Sequence, residues 1–459
     1  MATVERKDLA TVAEVKGTSE GMTLIAEQGG SLVRVPVTEI APYREEDVMY
    51  GVEWDTAVSA PDCTRIGNMS LHKTLPVHAL MRGALLDDDG KVKKWLSETD
   101  WTQEDRSGKS GQVMVRIPKH WEKWEKEGTK RRVKMSLYPL PGYQMVPEMW
   151  VSAYEAVLDR TNNLLCSVVN EAVQYRGGLN TADWDKTERS LLGRPVTGVN
   201  LTSFRSYARK RKPGTTEWNC MTYTAQKTLY WLFVVEYATL NSQKAYNAAL
   251  TTEGYRQGGL GDGVTTVDSE KWKTWNNSNP FVSCGYTDEL GNRTGVKELA
   301  LPSGYGETGK KVSVARYRGV ENPFGHTNAW TDGINIEANP DTGNKLSRCF
   351  VCENPAKFSS TGYDGYTYVG NLPRTGGYIK EMIFDGGCTM PLAVGGGSTS
   401  YHCDYFSTDI PAAVTLRGVL FGGNANYGSF AGLASANTYN VPSYSGATLG
   451  SRLCFIAEA

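Results

Sequence analysis

The sequence predicts an α+β chain dominated by β-structure and loops, on three observations. Gly accounts for 49 of 459 residues, and Tyr (24) and Trp (12) supply many large rings, above the usual glycine share of about 7%. Residues 111–117 alternate, with Val113, Val115 and Ile117 on one side, as a half-buried strand does. Two stretches, 200–212 and 221–239, carry helical spacing, and after them the chain reads as loops, turns and short strands. This composition suits neither a helical bundle nor a disordered chain.

Size and charge exclude several function classes. At 50.4 kDa the chain is long enough for roughly three domains and for a large buried core. The formal net charge is -1, which excludes a globally basic nucleic-acid binder driven by counterion release. The longest strongly apolar run, 229–235, is far short of the roughly 20 residues of a membrane span. Residues 1–13 mix Glu5, Arg6, Lys7 and Asp8 with short apolar residues. The expectation is therefore no secretory signal and synthesis in a cytoplasm, without membrane insertion. The 9 cysteines are scattered, unlike the dense framework of a small secreted domain. Cys349 and Cys352 form one CxxC without a second pair or suitably spaced histidines, so structural thiols are expected, with no metal and no cofactor.

Near the start of the chain, residues 22–25 and 32–37 flank Gly29-Gly30 and suggest a small hairpin within an N-terminal attachment arm, 1–45. Gly17-Thr18-Ser19-Glu20-Gly21 has the pattern of a hydrolase nucleophile elbow, but sits in a charged terminal segment rather than between strand and helix, so it is read as a chance match. Residues 46–145 form a β-rich unit expected to be separate. Within it Asp87-Asp88-Asp89-Gly90 is a turn, because a calcium loop needs a longer set of carboxylates. Lys130 to Lys134 beside Glu122, Glu125 and Glu127 reads as a solvated hairpin face, with Trp121 and Trp124 as packing residues. An opening strand at 146–155 begins the third unit, 146–459. The first helix, 200–212, is capped by Asn200 or Thr202, aligns Phe204, Tyr207 and Ala208, and stops at Pro213-Gly214. The second, 221–239, buries one face through Leu229, Leu232, Phe233 and Tyr237. The glycine-rich 258–263 neither comes after a clear strand nor opens a helix, so a phosphate cradle is not expected.

The segment 415–455 is the most informative. Strand-like flanks, Thr415 to Gly423 and Gly450 to Phe455, enclose 26 positions, 424–449, without one charged residue, although charged residues are 22% of the chain. Chance gives such a window about once in several hundred. The segment holds four Asn, three Tyr, four Ser, three Gly and five Ala. Asn, Tyr, Ser and Gly are favoured in antibody paratopes, where Tyr gives contact area at low entropic cost and Ser and Asn adapt their hydrogen bonds. A low-complexity loop or part of an edge sheet accounts for the composition equally well.

Several motifs resemble, in family order, the variable proteins of diversity-generating retroelements, of the gut-phage type. They are 146–156; Gly193-Arg194-Pro195-Val196-Thr197 leading to Phe204 and Tyr207; Glu321-Asn322-Pro323-Phe324-Gly325 with Trp330-Thr331-Asp332 after it; Leu416-Arg417-Gly418; and Gly450-Ser451-Arg452-Leu453. The chain departs from the family pattern at Asn328, Val419 and Ser451. The resemblance covers roughly 145–456, and the β-rich region before it is similar to phage tail proteins. It implies a C-type lectin-like fold, related to formylglycine-generating enzymes, in the C-terminal domain behind small β-rich N-terminal domains. In such systems an error-prone copy of a template alters bases at template adenines, so Asn codons yield Tyr, Ser, Thr, Phe, Leu, Val and Gly without stops. The resemblance then makes Asn424, Tyr427, Ser429, Phe430, Leu433, Ser435, Asn437, Thr438, Tyr439, Asn440, Tyr444, Ser445, Thr448 and Leu449 the diversified, ligand-binding surface on fixed β-flanks.

The implied function is a hypervariable receptor-binding protein of a phage tail, contacting a host-surface protein or glycan, joined to other tail proteins, assembled in the host cytoplasm and carried in the virion. A homotrimer is the implied assembly, and display would add avidity. An alternative is a structural tail or fibre component. A third is an enzyme, of the formylglycine-generating or a glycan-active type. The first type uses paired C-terminal cysteines, against which Cys454 lacks a local partner, Cys403 with His402 is unsupported, and His326 reads as structural. The expectation is therefore not an enzyme. Display on a cell surface is a further alternative that calls for an export signal.

Overall fold

The computed structural model describes residues 23–28, 31–36, 43–261, 266–340 and 345–457. Among them the chain is mostly β with few helices. Strands Thr23–Gln28 and Ser31–Pro36 pair antiparallel, Gln28 opposite Ser31, as expected for a hairpin. The Gly17 to Gly21 match, most of the remaining 1–45 arm and Asp262-Gly263 lie outside the described residues.

The middle of the chain builds two sheets. A five-stranded sheet runs in the order Gln144–Val146, His120–Glu127, Lys130–Ser136, Tyr50–Asp55, Thr64–Gly67. The basic run lies on its hairpin, with Arg132 and Lys134 paired to Glu127 and Glu125 at 2.8 and 3.0 Å, but the face is less solvated than expected, since Glu122 is buried and Arg131 and Lys134 are largely covered. A six-stranded sheet runs Trp218–Cys220, Leu453–Phe455, Met149–Ser152, Gln112–Ile117, Gly83–Leu86, Val92–Trp95. Asp87 to Gly90 is the turn between the last two, its Asp87 carboxylate accepting from the backbone of Asp89 and Lys91.

This second sheet corrects two expectations. Gln112–Ile117 pairs directly with Met149–Ser152, so 46–145 is not a separate unit but shares a sheet and a core with the C-terminal part of the chain. Nor is that strand half-buried. Val113, Val115 and Ile117 enter the main core while Met114 enters a second cluster with Trp150, Phe204 and Trp330. A strand covered on both faces loses its polar alternation. The expected strand over 146–155 is broken as well. Gln144–Val146 belongs to the first sheet and Met149–Ser152 to the second, with Pro147, which lacks an N–H for a ladder, between them.

Both helices form. Leu201–Arg209 starts from Asn200, whose side chain accepts from the Ser203 N–H at 2.9 Å, and ends one turn earlier than expected. Tyr223–Tyr237 is capped by Thr222. Its burial is a correction: it is enclosed on nearly all sides, including Tyr230, Trp231, Val234 and Val235, so it runs through the core rather than lying on it. A further helix, Ser269–Asn276, and an 11-residue strand, Asn328–Ala338, occur where only loops and short strands are expected. That long strand is central to a nine-stranded sheet in which Thr415–Gly422 and then Gly432–Asn437 lie to one side. No helix among the described residues is long and apolar enough to cross a membrane.

Candidate functional site

The site grows out of the nine-stranded sheet. Thr415–Gly422 runs antiparallel to Asn328–Ala338. Gly418 is required there, because a Cβ would come within 2.7 Å of the Trp330 ring. Gly422 and Gly423 take φ of 96° and 80°, the left-handed region open to glycine, and turn the chain out of the strand. The chain returns as Gly432–Asn437, leaves again, and closes at Leu449–Gly450, parallel to Asn328 and Ala329. Both ends of the uncharged segment are thus held against one strand, Asn328–Ala338.

Fixed residues pin the loop backbone between these points. Gly418 N donates to Asn440 O at 3.0 Å, Leu201 N to Pro442 O at 3.1 Å, Gly198 N to Gly446 O at 2.9 Å and Asn328 N to Thr448 O at 3.0 Å. These bonds do not depend on side-chain identity. The flanks are locked by side chains. Ser451 Oγ donates to Trp330 O at 2.7 Å, and the buried Arg452 guanidinium donates to Asn322 O at 2.6 Å and Ser152 O at 3.2 Å.

The expected surface divides in four. Asn424, Tyr427, Asn437, Asn440, Tyr444, Thr448 and Leu449 come together around one hollow of about 380 Å³. Asn437 Nδ2 donates to Tyr427 OH at 3.2 Å across it, and the side chains of Asn424 and Leu449 reach it only at their edges, being nearly buried. Ser429 and Phe430 lie in a separate aromatic patch. Phe430 stacks on Tyr405 at 4.2 Å, and Tyr378 OH sits 2.7 Å from Ser429 Oγ. Tyr439 and Ser445 are exposed outside both groups. Leu433, Ser435 and Thr438 face inward and are a correction to the expected contact surface. Leu433 is 1% exposed and packed in the main core. Ser435 Oγ donates to Tyr405 O at 3.1 Å, and Thr438 Oγ1 to Thr408 Oγ1 at 2.9 Å. Buried side chains of this kind cannot touch a ligand.

No family model matches the chain, and no curated protein matches it. Solved structures similar to it were found. One is the structure of PvdO from Pseudomonas aeruginosa, at a TM-score of 0.31 and 10% identity, covering 79% of this chain and 100% of that one. The Major Tropism Determinant U1 variant is similar at a TM-score of 0.25 and 12% identity, over 99% of this chain and 88% of that one. The P3c variant of the same determinant gives 0.24 and 10%, over 95% and 92%.

Residues beyond the segment complete the surface. Lys273, Asn277, Ser278 and Asn328 line the hollow from outside 424–449, and Tyr378 and Tyr405 build the aromatic patch. Sequence reasoning missed them because they lie far from the segment in the chain and carry no compositional signal. Beneath the surface Asp404 is fully buried, accepting from Ala434 N at 2.7 Å and Ser242 Oγ at 3.4 Å. Burial raises its carboxyl to about 7, against the opposing effect of those hydrogen bonds.

The other chemistry-bearing residues are structural in their surroundings. Cys454 contacts Met221 Sδ at 3.7 Å, His402 Nδ1 lies 3.0 Å from Tyr230 OH, and His326 Nε2 donates to Ser313 O at 2.9 Å. Burial raises the Cys454 and Cys403 thiols to about 12 and lowers His326 to about 4. All 9 cysteines are free thiols, Cys349 and Cys352 both buried. No group of three His, Cys, Asp or Glu side chains among the described residues is placed to hold a metal ion.

Proposed function

We propose that this chain is a hypervariable receptor-binding protein of a phage tail, of C-type lectin type, which displays residues 424–449 to a host-surface protein or glycan. One observation carries the reading. An uncharged, Asn-, Tyr- and Ser-rich segment is held by backbone hydrogen bonds to fixed residues, while its side chains at Tyr427, Asn437, Asn440 and Tyr444 converge on one open hollow. Such a scaffold lets exposed side chains change without losing the fold, and a preordered loop lowers the entropic cost of binding. The proposal includes a homotrimeric, virion-borne assembly with other tail proteins, and a binder rather than an enzyme.

Deep sequencing of the 3′ end of the gene from one propagated population tests it. Substitutions should concentrate in the codons of the outward positions, Tyr427, Ser429, Phe430, Asn437, Tyr439, Asn440, Tyr444, Ser445 and Thr448, and match adenines of a nearby template repeat. An invariant segment with no such repeat overturns the proposal and favours a structural tail component.

A further inference from the structure

The hollow beside 424–449 is floored by one face of the nine-stranded sheet. Trp330, Leu420 and Asn437 stand in one register row, and Asn328, two residues before Trp330, points to the same face. Leu420 and Asn437 line the hollow, and so does Asn328. Asn328 lies outside the segment and is 3% exposed, and its side-chain amide has no hydrogen-bond partner among the described residues. Neither its Oδ1 nor its Nδ2 is sealed from solvent, so both open into the hollow. A group that displaces water from this amide must both donate and accept to keep its hydrogen bonds.

Charge narrows the ligand further. Lys273, in the last turn of the helix Ser269–Asn276, is the one charged residue of the lining among the described residues. It is exposed and in no ion pair among them, whereas Lys271 of the same helix is held by Glu307 at 3.0 Å. The remaining polar lining is amide and hydroxyl, and the side chains of Asn277, Asn440 and Tyr444 make no hydrogen bond among the described residues. Amides and hydroxyls both donate and accept. Spread around one wall, they match a ring bearing adjacent hydroxyls better than an acidic peptide side chain, which brings one accepting head on a narrow stem. The volume of about 380 Å³, at the small end of ligand sites of about 300–1,000 Å³, suits the end of a short saccharide.

We propose that the hollow takes an acidic sugar, a pyranose carrying a carboxylate, with the carboxylate on Lys273 and ring hydroxyls on the Asn328 amide. The inference rests on the reading of 424–449 as a display surface. Lys273, Asn277 and Asn328 lie outside that segment, so the acidic class persists while changes at Asn437, Asn440 and Tyr444 alter which acidic sugar is taken.

Saturation-transfer NMR titration of the full chain tests this, with the methyl glycosides of glucuronate and N-acetylneuraminate, with methyl glucoside, and with N-acetylglutamate methylamide. At least one acidic sugar should bind with Kd of about 1 mM or tighter. The glucoside should bind about fivefold more weakly than that sugar, the worth of one exposed ion pair, and the gap should close in high salt. Lys273→Gln, at an exposed position, should bring the acidic sugar down to the glucoside's affinity with the melting temperature in place. Asn328→Ala should weaken both sugars about equally. Binding of neither acidic sugar at about 20 mM, equal binding of the glucoside, or undiminished binding by Lys273→Gln overturns the inference. Tighter binding of the glutamate derivative overturns it in favour of an acidic peptide. Host-cell binding separates the inference from the reading beneath it. A loss in Tyr444→Ala without a loss in Lys273→Gln overturns the acidic sugar alone, whereas binding unchanged in both variants overturns the display surface with it.

Discussion

Leu433 and Tyr444 both belong to the uncharged segment, yet they stand in opposite surroundings. Leu433 is 1% exposed within the main core, whereas Tyr444 is 50% exposed at the hollow. Truncating Leu433→Ala removes buried carbon and leaves a cavity, which costs about 2–5 kcal/mol. Truncating Tyr444→Ala removes surface that is half in water already, and the cost should stay within about 0.5 kcal/mol. At about 2.1 cal/mol/K per residue, cooperative unfolding of a chain this long has an entropy near 1 kcal/mol/K. Leu433→Ala should then lower the melting temperature by about 2–5 °C and Tyr444→Ala by less than about 1 °C. Differential scanning calorimetry of both variants with the parent protein reads this directly. On the proposed function, binding to whole host cells should respond in the opposite order, with Tyr444→Ala lowering it and Leu433→Ala changing it only through stability. Equal melting losses, or a larger loss at Tyr444, would refute the division of the segment into scaffold and display surface.

The same geometry sets three further outcomes. Gly418→Ala should lose about 1–3 kcal/mol in urea unfolding, because the new Cβ meets the Trp330 ring at 2.7 Å. Arg205→Ala should cost about 3–5 kcal/mol, since it strands the fully buried Asp332 carboxylate that Arg205 holds at 2.5 and 2.8 Å; unfolding in denaturant with an unchanged slope checks it. Asp404 has a folded-state carboxyl raised from 3.8 to about 7, so the native state holds its proton over a range in which the unfolded chain has released it. Relative to Asp404→Asn, the parent protein should therefore be most stable below about pH 4 and lose up to about 4 kcal/mol as pH rises through 7, levelling off near about pH 8; a difference that is flat with pH would refute the raised carboxyl.

Local signals in the chain were legible where a short-range rule governs them. Asn200 caps its helix because its side chain reaches the Ser203 N–H, and Asp87 to Gly90 turns because a carboxylate accepts from nearby backbone groups. The strands around Gly29-Gly30 are legible for the same reason. Tertiary partners were not. The strand Gln112–Ile117 reads as half-buried because its alternation says nothing about a second core behind it, and the helix Tyr223–Tyr237 reads as one-sided because its buried Tyr and Gln residues look like a polar face.

By itself the sequence determined that residues 424–449 form an uncharged, paratope-like segment between two strands, because charge and side-chain type are properties of the chain. Only the tertiary structure decided which of those side chains reach solvent. Leu433, Ser435 and Thr438 turn inward, while Tyr427, Asn437 and Asn440 meet around a hollow that Lys273 and Asn277 help to line. The physical reason is that exposure at each position depends on how the flanking strands seat on Asn328–Ala338 and on what packs beneath them. Those partners lie far away in the chain and leave no mark on local composition.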